Sequence, residues 1–76
     1  MPIPVPNSGF IKDLEYLGVP AGRRRYRNRS RDRIYEWDSL HGELEVYNNR
    51  GRHLGVMDAE TGEMIKSEVR GRRIDV

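Results

Sequence analysis

A chain of 76 residues, 36% of them hydrophobic, forms one domain with a thin core, which argues against a deep pocket enclosing a large cofactor. It has no cysteine, so disulfides, thiolate metal sites, iron–sulfur clusters and cysteine nucleophiles are all excluded. The formal charge of +2 hides a polar layout: residues 1–33 hold eight bases and three acids, whereas residues 34–76 hold six bases and nine acids.

Twelve of the fourteen bases are Arg, the side chain suited to forked phosphate contacts and to stacking on nucleobases. The layout therefore points to nucleic acid as a partner. No apolar run approaches the ~20 residues of a membrane-spanning helix. The opening Met-Pro-Ile-Pro-Val-Pro has neither the charged start nor the apolar stretch of a secretory signal.

Residues 2–6 alternate Pro with Ile and Val, which predicts an extended lead with no core of its own. Asn7 or Ser8 can cap a short helix over Gly9 to Leu17, with Phe10, Ile11, Leu14 and Leu17 as its apolar stripe and Gly18 as its stop. Residues 21–33 contain seven Arg and one Tyr with almost no apolar content, and read as a solvated arm. Arg23, Arg24, Arg25, Arg27, Arg29, Arg31 and Arg33 offer phosphate neutralisation there, and Tyr26 offers a stacking platform.

From Ile34 the period changes to two. Strands are predicted at 34–38, 43–47, 53–57 and 64–66, with turns at 48–51 and 58–62, a bend or bulge at Gly55, and a fifth strand available from the tail at 70–76. The expected fold is α+β and mainly β: a strongly twisted antiparallel sheet of four to five short strands, with one face packed and one wet. The chain divides into residues 1–33 (lead, short helix, Arg-rich arm) and residues 34–76 (the sheet that carries the site), within a single domain.

The stretch Trp37-Asp38-Ser39-Leu40-His41-Gly42-Glu43-Leu44-Glu45 concentrates three carboxylates and an imidazole across a hairpin. His41, Glu43 and Glu45 share parity, and Asp38 can meet His41 across the loop. A carboxylate–imidazole–carboxylate set suits phosphodiester cleavage by a neighbouring hydroxyl, where a base takes the 2′-OH proton, an acid protonates the leaving oxygen, and a cation holds the phosphorane. From spacing alone, a plain wet strand face with a polar loop histidine remains open. So does a divalent ion held by His41, Glu43 and Glu45. His53 lies on another strand and reads as structural or surface-exposed.

Arg33-Ile34-Tyr35-Glu36-Trp37-Asp38-Ser39-Leu40-His41-Gly42-Glu43-Leu44-Glu45, with Tyr47, Gly51-Arg52-His53-Leu54-Gly55, Asp58, Thr61-Gly62 and Lys66, resembles the cytotoxic ribonuclease domain of the ribosome-inactivating E-group colicins and related bacteriocin and polymorphic toxins. The resemblance runs over about Arg33 to Lys66. It implies a twisted antiparallel sheet and one cut in 16S rRNA at the decoding site, made without a metal or other cofactor.

It also places catalysis on Asp38, His41, Glu45 and Arg72, with Glu43 in support; Arg70 and Arg73 compete for the arginine's role. The implied partners are the small ribosomal subunit and an acidic immunity protein. The implied place of action is the cytoplasm of a target bacterium, reached by secretion or as part of a larger toxin. Three features depart from the family pattern: Leu40 stands where a Gln is usual, the linker is rich in Arg rather than Lys and Gly, and the C-terminal end is shorter, finishing Ile74-Asp75-Val76. The alternative is a non-catalytic basic module that binds RNA or the ribosome.

Overall fold

A computed structural model describes residues 2–76. Six strands form one antiparallel sheet in which every strand pairs with its neighbours in the chain: β1 (Glu15–Gly18), β2 (Arg25–Arg27), β3 (Arg33–Asp38), β4 (Glu43–Asn48), β5 (His53–Met57) and β6 (Met64–Ser67). The alternation seen in the sequence sets the pairing. Tyr26 lies opposite Tyr35, Tyr35 opposite Val46, Trp37 opposite Leu44, and Leu44 opposite Met57. Paired residues share a face, so these side chains build one apolar layer, and Leu44 and Val46 are completely buried in it.

The expected four to five strands are thus six, and the expected helix is shorter. A 3-10 helix covers only Gly9–Asp13. Its Phe10 and Ile11 N–H groups donate to the carbonyls of Glu60 and Ala59, which ties it to the turn between β5 and β6. Ile11 enters the core, Phe10 meets Tyr35 edge-on at 5.6 Å, and Leu14 packs beside them. Leu14 is already extended, and Glu15–Gly18 goes on to pair with β2. A nine-residue helix is too short to hold itself together, and the free edge of β2 offers the segment's backbone a ladder instead.

The arm is also partly ordered. Arg25–Arg27 is a strand with Tyr26 buried in the apolar layer. On the other face, Arg25 places Nε and Nη2 on Glu36 Oε2 at 3.1 and 2.7 Å, while Arg27 reaches Glu15 at 3.0 Å. One inward Tyr between two Arg is alternation, but over three residues it is hidden by its charge.

Both chain ends act as straps. The N-terminal lead contributes Val5 to the core, accepts the Trp37 indole N–H on the Ile3 carbonyl at 2.9 Å, and donates from Ile3 N–H to the Ser39 carbonyl at 2.7 Å. The lead therefore shares the sheet's core rather than standing apart from it. The tail adds a single bridge, Arg52 with Arg73, and no strand. It crosses the polar face: the Ile74 N–H donates to the Gly51 carbonyl at 2.9 Å, and Arg25 Nη1 donates to the Asp75 carbonyl at 2.7 Å. Gly51 is required by this approach, because a Cβ there would strike the Ile74 carbonyl oxygen. The second face is accordingly not wet: Glu36, Asp38, Glu45 and His53 are all buried on it.

The Arg25–Glu36 pair sets up a stability test. Arg25→Met leaves a buried carboxylate without its partner and should cost about 3–5 kcal/mol. The double variant Arg25→Met/Glu36→Leu should recover most of that loss. Urea unfolding of the four proteins in the cycle measures both, and additive losses would show that the pair is not coupled.

Candidate active site

β3 ends at Asp38 and β4 begins at Glu43, directly opposite it. The intervening turn is built on Asp38. Its Oδ1 accepts the N–H groups of Leu40 and His41 at 3.0 and 3.2 Å, and its carbonyl accepts the Gly42 N–H at 2.8 Å. Gly42 completes the turn at φ +70°, a conformation that favours glycine. With Oδ1 spent on the backbone, Oδ2 accepts from His41 Nδ1 at 2.8 Å. That bond fixes the tautomer and leaves Nε2 for another partner. The ring itself is 59% exposed over a nearly buried carboxylate.

Burial pushes the Asp38 carboxyl up, but the bonds from the His41 imidazole and from the two N–H groups outweigh it. Its pKa falls below the usual 3.8. Leu40 serves the turn through its backbone alone, so its side chain, 78% exposed, is free of structural duty.

Two residues beyond Glu43, Glu45 lies on the same face and is 3% exposed. Its Oε1 has two partners: it accepts from His53 Nε2 at 3.1 Å and forms an ion pair with Arg72 Nη1 at 2.9 Å. His53 is fully buried, and its Nδ1 accepts the Val69 N–H at 2.9 Å, so the ring carries its proton on Nε2 and donates it to the carboxylate. Its own N–H donates to the Arg72 carbonyl at 3.1 Å, and Tyr47 packs edge-on at 5.3 Å. Among the described residues no buried side-chain polar atom lacks a partner, and the contacts to Glu45 from His53 and Arg72 both fall on Oε1.

The two groups, Asp38–His41–Glu43 and Glu45–His53–Arg72, are one two-residue step apart along β4, roughly 7 Å. Glu43 is held by Lys66 Nζ at 2.9 Å, and that hydrogen bond together with the carboxylate's charge raises the Lys66 pKa.

All five residues expected at the site are on one face. Asp38 contacts His41 and Glu45 contacts Arg72; Glu43 stands opposite Asp38. Of the three competing C-terminal arginines, Arg72 is the one that meets Glu45, whereas Arg73 reaches the Arg50 carbonyl at 3.4 Å. His53 and Lys66 went unread in the sequence as parts of the site. The signal for His53 was Gly55: a bulge between Val46 and Tyr47 shifts the register, so that His53 rather than Leu54 stands opposite Tyr47 and joins the Glu45 face.

The expected RNA contacts divide. Tyr26 and Arg25 are buried, and Arg27 is paired with Glu15, whereas Arg24, Arg29, Arg31 and Arg33 are exposed and Arg23 is half-buried. For a metal, the ligand atoms of Asp38, His41 and Glu43 lie within 4.8 Å of one another, and Glu45 is not among them. An ion there would have to displace both the Asp38–His41 bond and the Lys66 ammonium.

A family model described as Cytotoxic matches residues 4–75. The chain is similar to colicin E3 of Escherichia coli, 40% identical over 74 residues that cover 83% of this chain and 13% of that protein. It is also similar to cloacin of Escherichia coli, 46% identical over 50 residues covering 64% of this chain and 9% of that protein. Colicin-E6 of Escherichia coli is 54% identical over 35 residues, covering 45% of this chain and 6% of that protein. The chain spans only a small part of the length of these relatives.

The Asp38 shift makes a prediction about acid stability. Its folded pKa is below its unfolded value, so the stabilisation is complete above about pH 4 and is lost as pH falls through the folded value. Asp38→Asn should flatten the acid limb of a plot of urea midpoint against pH. An unchanged limb would show that the carboxylate is not stabilised by its turn.

Proposed function

The chain belongs to the Cytotoxic family, and we propose that it is the ribonuclease domain of a bacterial toxin, which stops translation by cutting 16S rRNA at the decoding site. The reading is supported by one observation above others. A buried carboxylate, Glu45, is held on Oε1 by a hydrogen bond from His53 and an ion pair with Arg72, and it shares a sheet face with an exposed imidazole backed by Asp38.

Glu45 Oε2 takes the proton from the ribose 2′-OH as the oxygen attacks the adjacent phosphate. His53 and Arg72 hold this carboxylate in place. His41, oriented through Nδ1 by Asp38 and carrying a proton on each ring nitrogen, gives the Nε2 proton to the departing 5′-oxygen and is left neutral. Arg72, its side chain 39% exposed, and Lys66 beside Glu43 supply positive charge where the phosphorane gathers negative charge. Proton balance is closed: one proton leaves the 2′-oxygen and one reaches the leaving oxygen. The reverse assignment, with His41 as base, uses the same residues, and a bell-shaped pH profile reports the pair of ionisations without assigning them. No step needs a metal.

The site lies on one face of a very small sheet, with little surface for reading a base sequence. RNA specificity is usually read on splayed, unstacked bases, so the folded ribosome supplies much of the specificity, and naked RNA of the same sequence is a poorer substrate. The exposed arginines suit an acidic immunity protein in the producing cell, where charge complementarity speeds capture. Action on ribosomes places the domain in the cytoplasm of the target bacterium.

Incubation of the purified chain with intact bacterial ribosomes should release one discrete 3′ fragment of small-subunit RNA, at a rate unchanged when the chain alone is treated with EDTA and desalted before the ribosomes are added. His41→Ala and Glu45→Gln should each lower that rate by about 10²–10⁴-fold. A chain that binds ribosomes but releases no fragment, or variants as fast as the parent, would contradict the proposal.

A further inference from the structure

The arm's cations are not equivalent, and one of them is both fixed and unneutralised. Arg25, Arg27, Arg52, Lys66 and Arg72 each face a carboxylate. Arg24 does not, among the described residues. Its Nε donates to the Tyr26 hydroxyl at 3.1 Å, and its guanidinium carbon lies 4.8 Å from the centre of the Tyr16 ring. Its carbonyl accepts the Trp37 N–H at 2.9 Å, which anchors the backbone as well. Two tyrosines thus orient the guanidinium while both Nη groups keep their hydrogens for another partner. Such an arrangement suits forked capture of a phosphate.

Arg24 lines an open groove of about 510 Å³. That volume falls within the range of small-ligand sites, about 300–1,000 Å³. Ile3, Pro4 and Pro6 of the N-terminal lead line it together with Arg23, Arg24 and Trp37. Ser39 also lines it, two residues before His41, so the groove begins where the catalytic turn begins. A lining that combines apolar side chains with two cations fits a nucleotide: the base suits the apolar residues, and the phosphate suits the guanidinium pair.

We propose that this groove is a substrate subsite, which takes a single-stranded nucleotide flanking the cleaved bond and binds its phosphate through Arg24 with Arg23 beside it. The proposal rests on the ribonuclease reading for the position of the cut, but it concerns a separate patch of surface. It also gives the N-terminal lead a task beyond covering the core.

The test uses the His41→Ala variant of this chain, in which cleavage is slowed, titrated with a single-stranded RNA hexamer of mixed sequence. Amide and indole resonances should move at Gly22, Ser39 and the Trp37 indole. Arg24→Ala in that background should weaken hexamer binding roughly tenfold. It should also lower the slope of log affinity against log salt by about 0.7, the value for one phosphate on a single strand. Arg24→Lys should restore the slope but not the full affinity. Arg50→Ala, in the turn at the far end of β4, should change neither.

Resonance changes that avoid the groove, or equal effects of Arg24→Ala and Arg50→Ala, would overturn the proposal. Binding of hexaglutamate as tight as that of the hexamer would replace the nucleotide with an acidic peptide and overturn it as well. Because the titration needs no cleavage, a filled groove on a protein that cuts no ribosome would count against the nuclease reading alone.

Discussion

Burying a carboxylate is costly unless partners within the fold meet it. Glu45 is in that position: it is 3% exposed in the middle strand of a domain with almost no interior to spare. Its two partners come from separate places, His53 by a hydrogen bond from the next strand and Arg72 by an ion pair from the tail, and the tail is fastened in turn by the Val69 N–H on His53 and the Arg72 carbonyl on the His53 N–H. The imidazole of His53 therefore couples the docking of the tail to the orientation of the carboxylate. The Gly55 bulge is what brings it to that face, and Gly51 is what lets the tail come close enough.

The same logic explains why a small acidic sheet tolerates so many charges. On the polar face the acids are met one by one: Glu36 by Arg25, Glu43 by Lys66, Glu45 by Arg72, and Asp38 by its own turn and His41. The basic segment is consumed in part by this pairing, and β2 is the place where it happens. The remaining cations, from Arg23 and Arg24 to Arg29, Arg31 and Arg33, are the ones left to meet a polyanion.

Much of the sheet was legible because period-two alternation is strong from Ile34 onward; β3 to β6 lie within a residue or so of their expected places. The Asp38–His41 contact was legible as well, because a four-residue turn gives few other choices. β1 and β2 were hidden for opposite reasons. Tyr16 and Leu17 also fit a helical stripe, and only an available sheet edge decides against it. Arg25-Tyr26-Arg27 carries its alternation on one aromatic residue, too short a pattern to separate from a solvated charge run.

The wet face failed as an expectation because the cover comes from the tail, and no local pattern announces where a tail will lie. Tyr26 was lost as a stacking platform by the same rule that made it attractive: a large apolar ring in a thin domain is drawn into the core.

In the mechanism proposed above, a ribose hydroxyl rather than water attacks the phosphate between Glu45 and His41. The chemical ends of the released fragments distinguish the two nucleophiles. Attack by the ribose leaves a 2′,3′-cyclic phosphate on one side of the cut and a 5′-hydroxyl on the other, with no cut at a target nucleotide that lacks its 2′-hydroxyl. A 5′-phosphate end, or equal cleavage of the 2′-deoxy target, would contradict it.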